Sequence, residues 1–185
     1  MLIQTFLRAF NILKFEKNTY REISQDKFSI YQSGAIMILA ALINVLLFKL
    51  KVLPNLPNLS NQVPLHYVFL VWIFFNWYVF ALILAFVAEQ NSVNQNLKDK
   101  KIAFSLVGFS NSAEILKILI IFLPNFIVII SWGALMLVIA SQVVGVKQIY
   151  NLEKISTAIG CVILSYIIQI LLIALIIFIL IKLAY

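Results

Sequence analysis

From residue 30 onward the chain runs in apolar stretches whose charged side chains stand almost wholly at the stretch ends. A helix rises 1.5 Å per residue, so about twenty apolar residues match a hydrocarbon layer ~30 Å thick. Such a chain has too little polar surface for water: 63% of its 185 residues are hydrophobic and 11% are charged. Ordinary soluble domains carry about 25% charged residues. The expected fold is all-α, a polytopic membrane helix bundle of five transmembrane helices preceded by an N-terminal amphipathic surface helix. The spans are expected near 30–48, 65–88, 103–123, 124–146 and 156–183. Apolar sequence this continuous leaves no room for a soluble domain, so the chain divides into a polar cytoplasmic segment, 1–29, and a membrane domain, 30–185.

The residues that usually carry chemistry are scarce. There is one histidine, His66, and one cysteine, Cys161. That rules out a disulfide within the chain and leaves too few ligands for a His/Cys metal cluster. The five glycines are scattered singly, so there is no phosphate-binding loop. With neither paired carboxylates nor a His/Ser/Cys constellation, no enzymatic activity, cofactor or metal is expected. Fourteen Lys/Arg against seven Asp/Glu give a net charge of +7. In a soluble protein this would suggest nucleic acid. Here the basic residues flank apolar runs, so they orient the chain and meet anionic headgroups. The expected partners are the lipid bilayer and other membrane proteins or a second copy, not nucleic acid.

At 100° per residue, Leu2, Ile3, Phe6, Leu7, Phe10 and Leu13 share one side of a helix over 2–13. Gln4, Thr5, Arg8 and Asn11 share the other, and Ile12 is misplaced. This is the pattern of a helix lying in the headgroup plane, with Arg8, Lys14 and Lys17 on lipid headgroups. A signal peptide is the competing reading, but Arg8 and Asn11 interrupt any apolar core and no small-residue cleavage site follows. Thr19 and Glu22 have capping-box spacing, which predicts a short second helix through Arg21, Glu22 and Ile23. Val52–Pro64 holds three of the four prolines and reads as a loop, with a glycosylation sequon at Asn58-Leu59-Ser60. Pro124-Asn125 marks a tight turn. Five crossings place Arg8, Lys14, Lys17, Arg21, Lys27, Lys98, Lys100, Lys101, Lys147 and Lys154 on one side. Lys49, Lys51 and Lys182 fall on the other, which points to a cytoplasmic amino terminus.

Glu114 and Lys117 are the most expensive residues to place in a membrane, at roughly 2.5–3.5 kcal/mol each near mid-span. Three residues apart on a helix, they are near enough to pair. They either line an ion or proton path, or pair with each other and reach headgroups. Thr157, Cys161, Ser165 and Gln169 recur every four residues in the last span. Ser141 and Gly145, and Gly108 and Ser112, repeat that spacing in the fourth and third. Small residues so spaced let helix backbones approach. Asn44, Asn76 and Gln169 are expected in one buried polar network. The aromatic second span reads as packing against lipid and neighbouring helices.

The order of features resembles the bacterial branch of the Yip domain family, the Ypt/Rab-interacting integral membrane proteins. The residues that carry the likeness begin with Asn18-Thr19-Tyr20-Arg21-Glu22-Ile23, Asp26 and Gln32. They continue with Asn76-Trp77, Gly108-Phe109-Ser110, Pro124, Trp132, Val143–Gln148 and Thr157-Ala158-Ile159. The resemblance implies five membrane helices and a cytoplasmic amino terminus. The long acidic cytoplasmic segment of the GTPase-binding eukaryotic members is missing here, so that activity is not carried over. The expectation is a non-enzymatic membrane scaffold or organiser in a bacterial inner membrane or an organellar one. A small transporter or channel component using Glu114 and Lys117, or an accessory subunit of a larger membrane complex, is the alternative.

Overall fold

The structure, a computed structural model, describes residues 2–49, 65–92 and 100–184. Among the described residues there is no strand. Two short helices, α1 (Leu2–Leu13) and α2 (Lys17–Gln25), precede α3 (Ser29–Lys49) and α4 (Leu65–Asn91). The third span is composite: α5 (Lys100–Ser110), a 3-10 segment Asn111–Ile118, then α6 (Leu119–Phe122). A 3-10 turn at Pro124–Phe126 leads into α7 (Ile127–Ile149), and α8 (Ile155–Ala184) closes the chain. Five helices are long and apolar enough to cross a membrane: Ser29–Leu47, Val71–Asn91, Lys100–Phe122, Pro124–Ile149 and Ile155–Ile179. The expected sequon at Asn58-Leu59-Ser60, and Lys51 and Lys98, lie outside the described residues.

The arrangement inverts that of a soluble bundle. The composite third span, the least apolar of the five, is half buried and packs on α1, α2, α3, α4 and α7. The most apolar span, Ile155–Ile179, has the smallest buried share of the five, 17% over its most apolar stretch. Where lipid is the solvent, apolar side chains gain nothing by leaving the surface, and polar groups gather inward where they find partners. Small residues set the closest approaches. Gly108 of α5 lies against Ser33 of α3, with the Ser29 and Ser105 hydroxyls 2.8 Å apart nearby. Gly145 of α7 receives Leu106 and the Tyr20 ring.

The amino-terminal segment shares a buried core with the long helices. Ala9, Ile12, Tyr20 and Ile23 are buried with Leu84, Leu106 and Val146. Ile12, which spoils the amphipathic pattern, is the anchor: it is wholly buried and its carbonyl accepts a bond from the Tyr20 hydroxyl at 3.3 Å. Glu16 stands at the start of α2 with no side-chain capping bond, and Thr19 lies buried within the helix. The expected Thr19/Glu22 capping box is therefore not formed. Phe15 makes the turn between α1 and α2 in a left-handed conformation (φ 58°), one that bulky side chains rarely adopt.

Arg8 also departs from expectation. It does not reach headgroups: it is 7% exposed, and its Nη1 donates to the Asp26 carboxylate and to Gln32 Oε1 (2.7 Å). Glu22 approaches its Nε at 3.9 Å. The physical reason is burial, because a guanidinium withdrawn from water must find protein acceptors. Lys14 and Lys17 are exposed, the former with its ammonium 4.3 Å over the Phe10 ring.

Arg8, and after it the Phe28 amide, hold the Asp26 carboxyl below its ordinary range. A carboxyl whose folded value is depressed stabilises fully above its unfolded value, about 3.9, and loses that contribution as pH falls through the folded value. A spin label at Lys14 should therefore keep one mobility from pH 8 to about 5 and loosen only below about 4. A transition near neutral pH would contradict this.

Candidate functional site

The third span changes winding where its polar residues lie. Three-residue steps on an α-helix fall 60° short of a full turn, so Asn111, Glu114 and Lys117 would fan over about 120°. At three residues per turn they stack along one edge. The 3-10 segment is eight residues long, whereas such runs seldom exceed three or four and often mark hinges or strain. Its effect is to aim three polar side chains at one place.

That place is a partly open pocket of about 360 Å³ lined by α3, α4, the third span, α7 and α8. Asn111, Glu114 and Lys117 form one wall. Facing them are Asn44 of α3, Asn76 of α4, Gln142 of α7, and Tyr166 and Gln169 of α8. Trp72, Trp77 and Phe80 supply aromatic wall. Asn44, Asn76, Glu114 and Gln169 stand roughly 15 residues, or about 22 Å of helix, from Ser29, Asn91, Lys100 and Ile155, well inside their spans.

The polar atoms are largely matched. The Lys117 ammonium donates to Glu114 Oε2, and Asn44 Nδ2 approaches the same oxygen at 3.4 Å. Gln169 Nε2 donates to the side-chain and main-chain oxygens of Asn76, both at 3.1 Å. The Tyr166 hydroxyl donates to Gln142 Oε1 at 3.0 Å. Lys117 and Glu114 side chains are 20% and 16% exposed, and both line the cavity. Of the two expected readings, pairing is what the geometry displays, and the pair lines the pocket.

The expected packing positions separate into kinds. Gly108, Gly145 and Ser112 make contacts between elements, the last donating to the Ala9 carbonyl at 3.3 Å. Cys161 is buried with its sulfur 4.0 Å from the Val87 carbonyl of α4. Ser141 and Ser165 donate back into their own helices, to Leu137 and Cys161, both at 2.7 Å. Thr157 is half-buried, and Gly160 beside it is exposed, with open space where a Cβ would be. The expected single network of Asn44, Asn76 and Gln169 is two: Asn44 joins Glu114, and Gln169 joins Asn76. Gln142 and Tyr166 were not legible as site residues, because nothing in one sequence says which helices are neighbours. Asn111 was, in principle, since its spacing from Glu114 and Lys117 is three and three. Among the described residues no group of three His, Cys, Asp or Glu side chains is placed to hold a metal.

Comparison of the chain with family models, with curated proteins and with solved structures gave no match.

Proposed function

We propose that the protein is a non-enzymatic integral membrane protein of the Yip type, which organises the membrane by packing against lipid and partner membrane proteins. The observation that carries this reading is the orientation of α1. Ile3, Phe6, Leu7 and Phe10 are each more than half exposed, while Arg8, Ala9 and Ile12 fasten the opposite face to the bundle. A helix so held inserts a fixed apolar edge into one leaflet and adds area on that side, with Lys14 and Lys17 near anionic headgroups. Residues that carry the Yip resemblance build this joint: Asp26 and Gln32 both accept from Arg8, and Tyr20 packs on Gly145. The setting that fits the charge distribution is a bacterial inner membrane with a cytoplasmic amino terminus, an organellar membrane being the alternative.

The expected result of Phe6→Glu with Phe10→Glu is loss of membrane deformation by reconstituted protein, with the five spans still inserted. Liposome morphology by electron microscopy checks it; unchanged vesicle shape would remove the support. A second reading, a small transporter or channel component, is favoured by the Glu114–Lys117 pair facing a cavity. It requires that Glu114→Gln abolish a flux across sealed liposomes.

A further inference from the structure

We infer that the cavity beside the 3-10 segment is a binding site for a zwitterionic group, one ammonium and one anionic oxygen group carried on a small frame. The inference stands apart from the role given to α1, and either can fail alone.

Size sets the first limit. About 360 Å³ lies at the lower end of the range for small-molecule sites and has room for an amino acid or a lipid headgroup. Charge sets the second. Glu114 and Lys117 give the wall one charge of each sign and no net charge. A lone cation or anion entering there would leave a charge uncompensated inside a span, which is costly in a medium of low polarity. A zwitterion brings a partner for each: its ammonium to Glu114, its anionic group to Lys117.

Unused bonding capacity is the third. Lys117 and Asn44 both address Oε2 of Glu114, and Oε1 makes no hydrogen bond among the described residues. The Lys117 ammonium has three donors and spends one on Glu114. The 3-10 winding stacks the two charged side chains on one edge, so both ends of a short dipolar molecule are met from a single element. Asn76 and Gln169, on the helices opposite, add carboxamides able to donate and accept.

The same chemistry has two sources, a free zwitterion such as glycine and the headgroup of phosphatidylethanolamine. Full-length protein in nanodiscs distinguishes them, read by tryptophan fluorescence, because Trp72 and Trp77 line the cavity. In discs of phosphatidylglycerol alone, glycine or alanine should shift the emission saturably if the source is a free solute. If the source is lipid, added phosphatidylethanolamine should do so instead and should be retained on purification. Methylammonium and acetate, each half of glycine, should bind about tenfold or more weakly than the whole. Glu114→Gln or Lys117→Met should weaken binding similarly. Should these single variants fail to fold, Glu114→Gln with Lys117→Gln keeps the wall neutral and should fold with binding lost. The inference is overturned if neither glycine, alanine nor phosphatidylethanolamine moves the emission, if methylammonium alone binds as well as glycine, or if the doubly neutral variant still binds.

Discussion

Valine at Gly108 is expected to leave almost no folded protein. A Cβ built at this position would lie 2.6 Å from Ser33 Cβ, 2.9 Å from its Oγ and 3.0 Å from its main-chain oxygen. A hydroxyl can rotate away, but a Cβ and a carbonyl oxygen move only with the backbone of α3. The two helices must therefore part, and the Ser29–Ser105 contact at 2.8 Å goes with them. Forcing one methylene into a packed core costs about 1–3 kcal/mol; separating two central spans should exceed about 4 kcal/mol. Alanine at the same site should already lower thermal stability measurably. Gly133 and Gly160, where a Cβ would meet nothing within 4 Å, are the controls. Alanine there should be neutral or stabilising by about 0.5–1 kcal/mol. Monodisperse yield from mild detergent and the midpoint of thermal unfolding distinguish the two classes. Equal behaviour of Gly108→Val and Gly160→Ala would refute the assigned α3–α5 contact.

That contrast shows what the sequence could and could not disclose. Spacing alone placed Gly108 and Gly145 in the packing set, and both meet neighbours at close range; it gave no ground for separating them from Gly160, which meets none. The five spans were legible because their lengths match a bilayer and, Glu114 and Lys117 apart, their charges sit near the ends. Helix α1 was legible to the residue, and so was the outward direction of its apolar face, but what its polar face meets was not. A two-sided pattern does not say whether the polar side meets protein or headgroups, and so Arg8 was assigned to headgroups and Ile12 set aside as an exception. The 3-10 segment left no mark of composition, since neither proline nor glycine stands in Asn111–Ile118. Its one trace is the spacing of Asn111, Glu114 and Lys117. The cavity itself depends on which helices touch, information that periodicity within a helix does not contain.

Removing the Arg8 guanidinium should set α1 free while leaving the five spans inserted. One side chain joins three elements here: Nη1 reaches Asp26 after α2 and Gln32 in α3, and Nε lies 3.9 Å from Glu22 in α2. Truncating one partner of a buried ion pair costs about 3–5 kcal/mol, because the other charge stays behind unpaired. Asp26 retains 23% exposure and can still be partly hydrated. The expected cost of Arg8→Ala is therefore lower, about 2–3 kcal/mol. Lysine should rescue it only in part, since its ammonium, on a shorter stem, must reach both acceptors that Nη1 serves. Adding Asp26→Ala to Arg8→Ala should recover part of the loss, because the stranded carboxylate is then gone, and the cycle of the four proteins gives the coupling directly. Hydrogen exchange over residues 2–13 in nanodiscs is the measurement. Arg8→Ala should speed exchange there by ~30-fold or more, with little change in α4 and α8. Protection of α1 equal to that of the unaltered protein would mean that Ile12 and Tyr20 hold the helix without the ion pair. The apolar edge it presents to lipid would then be fixed by packing alone.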